Sequence, residues 1–340
     1  MMCRAQLGRG ARACGFGSPS RTALVWPRRR GYTEARRGSP LAAQAQGLPI
    51  DMQIVAVTNI KGGVGKTTTA VNLAYLSAVG GARTLLWDLD AQGAATYTLQ
   101  VEAGERVSAK KLVGGRRELP EAIVASAYER LHVLPADLSY RNFDLHLAAR
   151  KRPTERLLKM SRSLREDYDL LVLDCPPGIS LLTESVLRAA DALVVPLLPT
   201  PLSLRTLAQL REFVAAEGWT DLRLLPFFSM VDRRRSLHRE LIDSTRAESS
   251  GLLATEVPYW SEIERVSVRR APMGVIAPHS EAARIYAALW AEVDACLHGR
   301  PALPAGRERA AGTTAGADRG RPAASPAPAP PRDGTDRSVH

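Results

Sequence analysis

The stretch NIKGGVGKTTT, residues 59–69, decides how the rest of the chain is read. It follows QIVAVT (53–58), an apolar run of the buried-strand type, and opens a helical pattern from Thr67 towards Val79 that Gly80 and Gly81 would terminate. Strand, glycine-rich turn and helix together are the setting of a phosphate-binding loop. The glycines let backbone N–H groups turn inward around anionic oxygens, and the helix start adds unsatisfied donors and a positive dipole end. Gly62, Gly63, Val64, Gly65, Lys66, Thr67 and Thr68 are therefore the expected phosphate-binding residues. Lys66 would neutralise the β/γ-phosphates, and the Thr67 hydroxyl would bind Mg²⁺. One lysine suffices for that task, yet Lys61 stands five positions earlier.

Outward from this loop, short apolar runs alternate with longer amphipathic ones. Strands are predicted at 84–90, 131–136, 169–174, 191–197 and 222–230. Helices are predicted at 153–166, 181–190, 203–217, 236–249 and 280–297, the last with Ala283, Ile285, Tyr286, Leu289, Trp290 and Val293 as its buried set. Segment 100–130 reads either as a helix pair or as a long loop. The alternation predicts an α/β fold, a single domain with a mostly parallel twisted sheet and helices on both faces, and the G-K-T loop at its first strand-to-helix junction makes the expected type a P-loop NTPase. Such sheets place ligands at the carboxyl ends of their strands.

Composition narrows the function classes. The 340 residues carry a net charge of +11, but it is unevenly spread. Residues 1–50 hold nine Arg against one acid and residues 299–340 seven Arg against four, while 51–298 balance 30 basic against 30 acidic residues. Any nucleic-acid surface on the folded part must then come from local clusters. Cys3, Cys14, Cys175 and Cys296 lack metal-ligand spacing, which argues against a zinc site, an iron–sulfur cluster or a disulfide framework and suits a reducing cytosol. No run of eighteen apolar residues predicts a membrane-spanning helix. Residues 1–51 read as a disordered Arg-rich extension preceding Met52, itself a plausible initiator, or as a transit peptide. Residues 299–340 read as a disordered Pro/Ala-rich tail.

The loop departs from G-x-x-x-x-G-K-[ST], because Ile60 stands where that pattern wants glycine. What fits is K-G-G-x-G-K-T-T, and here the chain resembles the ParA/MinD family of deviant Walker A ATPases. LLWDLDAQGAAT (85–96) is similar to the family's second motif. The segment 168–199 is similar to its Walker B strand with the following helix and strand, and SMVDRRRSLHRE (229–240) and RRAP (269–272) to its C-terminal third. The resemblance spans residues 52–298 and implies a weak Mg²⁺-dependent ATPase, stimulated by a ParB-like or cargo-adaptor protein, whose ATP-dependent homodimer binds DNA nonspecifically. It implies a cytoplasmic, nucleoid-associated location. Asp174 would hold Mg²⁺ through a water, Asp90 would orient the attacking water, and Lys61 would reach the partner subunit's phosphates. Asp88 is left between metal binding and hydrogen bonding to the loop, and Cys175 has no role. Arg233, Arg234, Arg235, Arg269 and Arg270 are the candidate DNA contacts.

Absences select a branch. Paired cluster cysteines, a C-terminal amphipathic membrane helix, a terminal tyrosine cluster and a preceding helix-turn-helix are all missing, which leaves partition and cargo-positioning ATPases. An ATP-binding regulatory module with little hydrolysis is the alternative. An amide-forming ATPase is a third reading, for which no substrate domain is evident. Ala91 replaces a usual proline, Ser229 stands where many members have asparagine, and YWSEIERVSV (259–268) is longer than in chromosomal partition proteins, which favours an accessory cargo.

Overall fold

The computed structural model describes residues 52–102, 107–115, 119–248 and 251–299. The expectations for residues 1–51 and for the tail from residue 300 onward lie outside the described residues. In chain order, β1 (Gln53–Val57) leads to α1 (Lys66–Val79), then β2 (Thr84–Asp88), the single-turn α2 (Ala94–Thr98) and α3 (Ala109–Gly114). The two-residue β3 (Val124–Ala125) and β4 (Leu131–Leu134) precede α4 (Phe143–Ala148) and α5 (Arg156–Ser161). Regular alternation follows through β5 (Leu170–Asp174), α6 (Leu181–Ala189), β6 (Ala192–Leu197), α7 (Pro201–Ala216), β7 (Arg223–Val231) and α8 (Ser236–Glu248). The last elements are β8 (Val257–Pro258), α9 (Ser261–Arg269), α10 (Met273–Ile276) and α11 (Glu281–Leu297).

The strands form one sheet in the order β3-β4-β2-β5-β1-β6-β7-β8, and every pairing is parallel except that of β3 with β4. The expected α/β architecture is therefore the observed one. Its central strands read as unbroken apolar runs because both faces are covered. On β1, Ile54 and Ala56 enter one core layer with Leu182, Val186 and Leu207 of α6 and α7. Val55 and Val57 enter the other, with Leu73 and Ala74 of α1 and Leu289 and Val293 of α11.

Helices α6, α7 and α11 each open on a side-chain cap. Ser180 accepts from the Thr183 N–H, Thr200 from that of Ser203 and Ser280 from that of Ala283, each cap contributing about 1 kcal/mol. The register sets the sheet's functional end: Asp174 is level with Val57 on one neighbouring strand and with Asp88 on the other. The end of β1 and two carboxylates thus stand in a row.

The structure differs from the sequence reading in local ways. The strand predicted at 84–90 stops at Asp88, whose side chain turns to bond the loop beyond it. The helix predicted at 153–166 is a six-residue α5 between 3₁₀ turns at Pro153–Glu155 and Arg162–Leu164. The ambiguous 100–130 segment holds α3, a 3₁₀ turn at Leu119–Ala122 and β3.

Candidate nucleotide site

The loop leaving β1 is built to stay open. Gly63 and Gly65 have φ of 70° and 87°, the left-handed region that side chains disfavour. A Cβ on Gly65 would also come within 3.2 Å of the Ser229 hydroxyl oxygen on β7. Asn59 anchors the mouth of the loop: its Nδ2 donates to the Pro196 carbonyl at 2.6 Å, and its Oδ1 accepts from the Lys61 N–H at 2.9 Å. Lys66, buried at the start of α1, arches back and donates from Nζ to the Lys61 carbonyl at 2.9 Å. Unlike α6, α7 and α11, α1 has no side-chain cap, and its first turn holds no acidic residue. Its first N–H groups therefore suit an anionic ligand.

The two buried carboxylates beside this loop are used differently. Asp88 is engaged with its own loop: Oδ2 accepts from the Thr96 N–H at 2.8 Å and the Thr96 hydroxyl at 2.7 Å, and Oδ1 accepts from the Asp90 N–H at 3.2 Å. Burial lifts its pKa to about 6 against the pull of those bonds. Asp174 is fully buried, and neither carboxylate oxygen has a hydrogen-bond partner of good geometry among the described residues. Burial pushes its pKa well above the usual carboxylate range, and Asp88 pushes the same way. The nearby Thr67 hydroxyl and Lys66 ammonium oppose the rise. Burial lowers the Lys66 pKa, and the Asp174 and Asp90 charges work against that. Asp88 thus hydrogen-bonds the turn that follows its own strand, whereas both Asp174 oxygens remain available to a cation or water as ligand.

Asp90 follows, half-buried, with Oδ1 accepting from the Gln92 N–H at 2.9 Å. Lys61 leaves the loop on the other side, its Nζ lying 3.5 Å from the Ser203 hydroxyl in the first turn of α7. Cys175 is buried, and burial pushes its thiol far up, which fits an inert role. The structure thus brings together every expected phosphate-loop residue with Asp90 and Asp174. Asn59 and Thr96 also serve the site but were not singled out. Asn59 has its carbonyl partner 137 residues away, so only its place in the loop could have flagged it.

The five candidate DNA-binding arginines are not equivalent. Arg233 pairs with Glu256 at 2.6 Å, and Arg234 grips both Asp232 oxygens at 2.9 and 3.0 Å. Arg270 stacks 4.3 Å above the Tyr97 ring and donates from Nε to the Tyr97 carbonyl. Arg235 and Arg269 are exposed.

A family model described as an AAA domain matches residues 52–217. The sporulation initiation inhibitor protein Soj of Bacillus subtilis is 31% identical over 72% of this chain and 98% of its own length. The chain belongs to the ParA/MinD family of P-loop ATPases. The chromosome partitioning protein ParA of Caulobacter vibrioides is a second relative, 34% identical over 58% of this chain and 76% of that protein. Among solved structures, cobyrinic acid a,c-diamide synthase from Mycobacterium smegmatis with a bound ATP analogue and magnesium aligns at a TM-score of 0.61 and 26% identity, covering 74% of this chain and 98% of that one. Septum site-determining MinD of Pyrococcus horikoshii with Mg-ADP, at 20% identity and a TM-score of 0.58 over 74% of this chain and all of that one, shares the fold.

The site of this ParA/MinD-family chain fits a nucleotide polyphosphate with a divalent cation. The uncapped helix and Lys66 match the anion, and the Asp174 carboxylate beside the Thr67 hydroxyl matches the cation. No group of three His, Cys, Asp or Glu side chains among the described residues is arranged to cage a metal. Few protein ligands are what Mg²⁺ needs when phosphates and waters complete its octahedron. No helix among the described residues is long and apolar enough to cross a membrane.

Proposed function

We propose that residues 52–298 form an ATPase unit, flanked by tails, that dimerises on ATP and Mg²⁺, binds DNA nonspecifically and positions a cargo at the nucleoid. The observation that carries this reading is the divergence of the two lysines. Lys66 fills its own loop, whereas Lys61 is directed out of it towards α7. A cation at the rim suits a phosphate held by a second copy, where it would stabilise charge at the transferring phosphoryl group. Ile179, 71% exposed after β5, and Leu202, 56% exposed in α7, follow the two strands that flank β1 and offer apolar surface for that copy to cover.

The Gly62–Thr68 segment holds the phosphates, Lys66 neutralises them, and Thr67 and Asp174 (the latter through water) hold Mg²⁺, which would supply further charge neutralisation. Asp90 orients the attacking water. Turnover is slow, and a ParB-like or adaptor protein raises it. Of the DNA candidates, Arg235 and Arg269 are favoured, because Arg233, Arg234 and Arg270 already have partners within the chain. This reading implies a cytoplasmic protein.

Light scattering on Lys61→Ala tests the central step. The variant is expected to bind ATP as wild type does but to remain a monomer; an undiminished ATP-dependent dimer removes Lys61 from this role. Phosphate release with and without DNA and candidate adaptors separates the ATPase from a nucleotide-sensing module. Turnover that instead required a carboxylic acid and an amide donor would point to the chemistry in the name of the Mycobacterium relative.

A further inference from the structure

Thr96 ties helix α2 to the end of β2 and to the segment that follows β4. Its N–H and hydroxyl both donate to Asp88 Oδ2, at 2.8 and 2.7 Å, and its hydroxyl oxygen accepts from the Ala136 N–H at 3.0 Å. Asp88 Oδ1 in turn accepts from the Asp90 N–H. One buried carboxylate thus ties the end of β2, the turn carrying Asp90 and helix α2, with three of its roughly four acceptor positions in use.

At five residues, α2 is too short to hold its place by helical bonds alone. It is pinned from outside by Arg270, the residue that closes α9. The Arg270 Nε donates to the Tyr97 carbonyl at 3.0 Å, its guanidinium stacks on the Tyr97 ring, and Gln100 Nε2 returns a bond to the Arg270 carbonyl at 2.9 Å. Arg270 makes these contacts with φ at 53°, against its backbone preference.

We propose that Thr96 is a positioning residue for ATP hydrolysis: it fixes Asp88 so that the turn carrying Asp90 is set against the phosphate loop, and the Arg270–Tyr97 contact is the latch that keeps α2 in register. This rests on the reading of the chain as an ATPase. Asp88 then works through the loop it braces, and Asp174 is left to the cation.

Thr96→Val keeps the shape and the backbone bond but removes the hydroxyl, whereas Thr96→Ser keeps the hydroxyl. The valine variant is expected to lose about tenfold in kcat, with affinity for a fluorescent ATP analogue in Mg²⁺ held within about twofold. The serine variant should recover both values. Independently of turnover, amide hydrogen exchange across 88–98 in nucleotide-free protein should quicken in Thr96→Val and return to wild type in Thr96→Ser. Arg270→Gln, a change at a half-buried position outside the nucleotide loop, should move kcat and exchange the same way by a smaller factor.

Wild-type kcat and exchange in Thr96→Val would overturn the proposal, as would an equal loss in Thr96→Ser, which would mark a steric role. If the valine variant fails to fold, wild-type exchange across 88–98 in Arg270→Gln is the overturning result. A wild-type protein that releases no phosphate even with DNA contradicts the ATPase reading instead, and the exchange comparison still decides whether Thr96 fixes the loop.

Discussion

Asp174 and Asp88 share one strand level and the same burial, yet only Asp88 has hydrogen-bond partners of good geometry, and that difference has a measurable consequence. A buried carboxylate without partners costs folding stability in its charged form. Its folded-state pKa lies above the unfolded value of about 3.9. The stability linked to such a group is therefore full below that value and is lost as pH rises towards the folded pKa, which burial holds well above the usual carboxylate range for Asp174. Asp174→Asn removes the charged form and is expected to raise the thermal midpoint of nucleotide-free protein at pH 7.5 by about 2–5 °C. The gain should shrink as the pH is lowered towards 5, and the variant should lose the additional stabilisation that Mg²⁺ and ATP give wild type. A nucleotide-free wild type more stable than Asp174→Asn at pH 7.5 would refute this. The identity of the loop residues was legible in the sequence because Gly63, Gly65 and Lys66 act through their own neighbours. The division of work between Asp88 and Asp174 was not, since it depends on Thr96 folding back onto β2 and on which oxygens the fold leaves unpaired.

At the scale of elements, the sequence pattern succeeded where a strand is central and covered on both faces. The predicted runs 53–58 and 169–174 each match an observed strand to within one residue. It failed at the sheet edges, where β3 and β8 have two residues each and carry no run to detect. It also assigned α11 a wholly apolar buried face. In the structure Ile285 and Trp290 are only partly buried, while Glu292 is buried. Its carboxylate accepts from the backbone N–H groups of Ala254 and Thr255, at 2.6 and 2.8 Å, and from the Thr255 hydroxyl. Those donors lie in the segment that enters β8, so an acid on α11 does the work that a longer edge strand would have done with ladder bonds. Glu292→Ala strands two backbone donors and a hydroxyl, and is expected to cost about 2–4 kcal/mol in urea unfolding. Glu292→Gln keeps one acceptor oxygen and should lose roughly half as much. A neutral Glu292→Ala would mean that the segment finds other partners, and that the clamp is incidental to the β7–β8 edge.

For the whole molecule, the charge distribution and the arginine environments bear on the same question. Residues 51–298 are electrically balanced, and the excess positive charge belongs to the two ends of the sequence. Within the described part, Arg233 and Arg234 are exposed but each already has an acidic partner, which favours Arg235 and Arg269 as phosphate contacts. A dimer would present each twice. Four phosphate contacts predict a fall of log affinity against log salt with a slope of about −3 to −4. That binding should require ATP, because only the dimer gathers the four arginines on one particle. The full chain should add a second, steeper component that is indifferent to nucleotide, carried by its sixteen terminal arginines. Filter binding of the full chain and of residues 52–299 across a salt series, with and without ATP, separates the two. Arg235→Ala in the shorter protein should reduce the slope by about 2, since each dimer loses two contacts. ATP-independent or salt-insensitive binding by residues 52–299 would defeat the electrostatic account, and DNA binding would then have to be sought in the terminal segments rather than on the nucleotide-driven dimer.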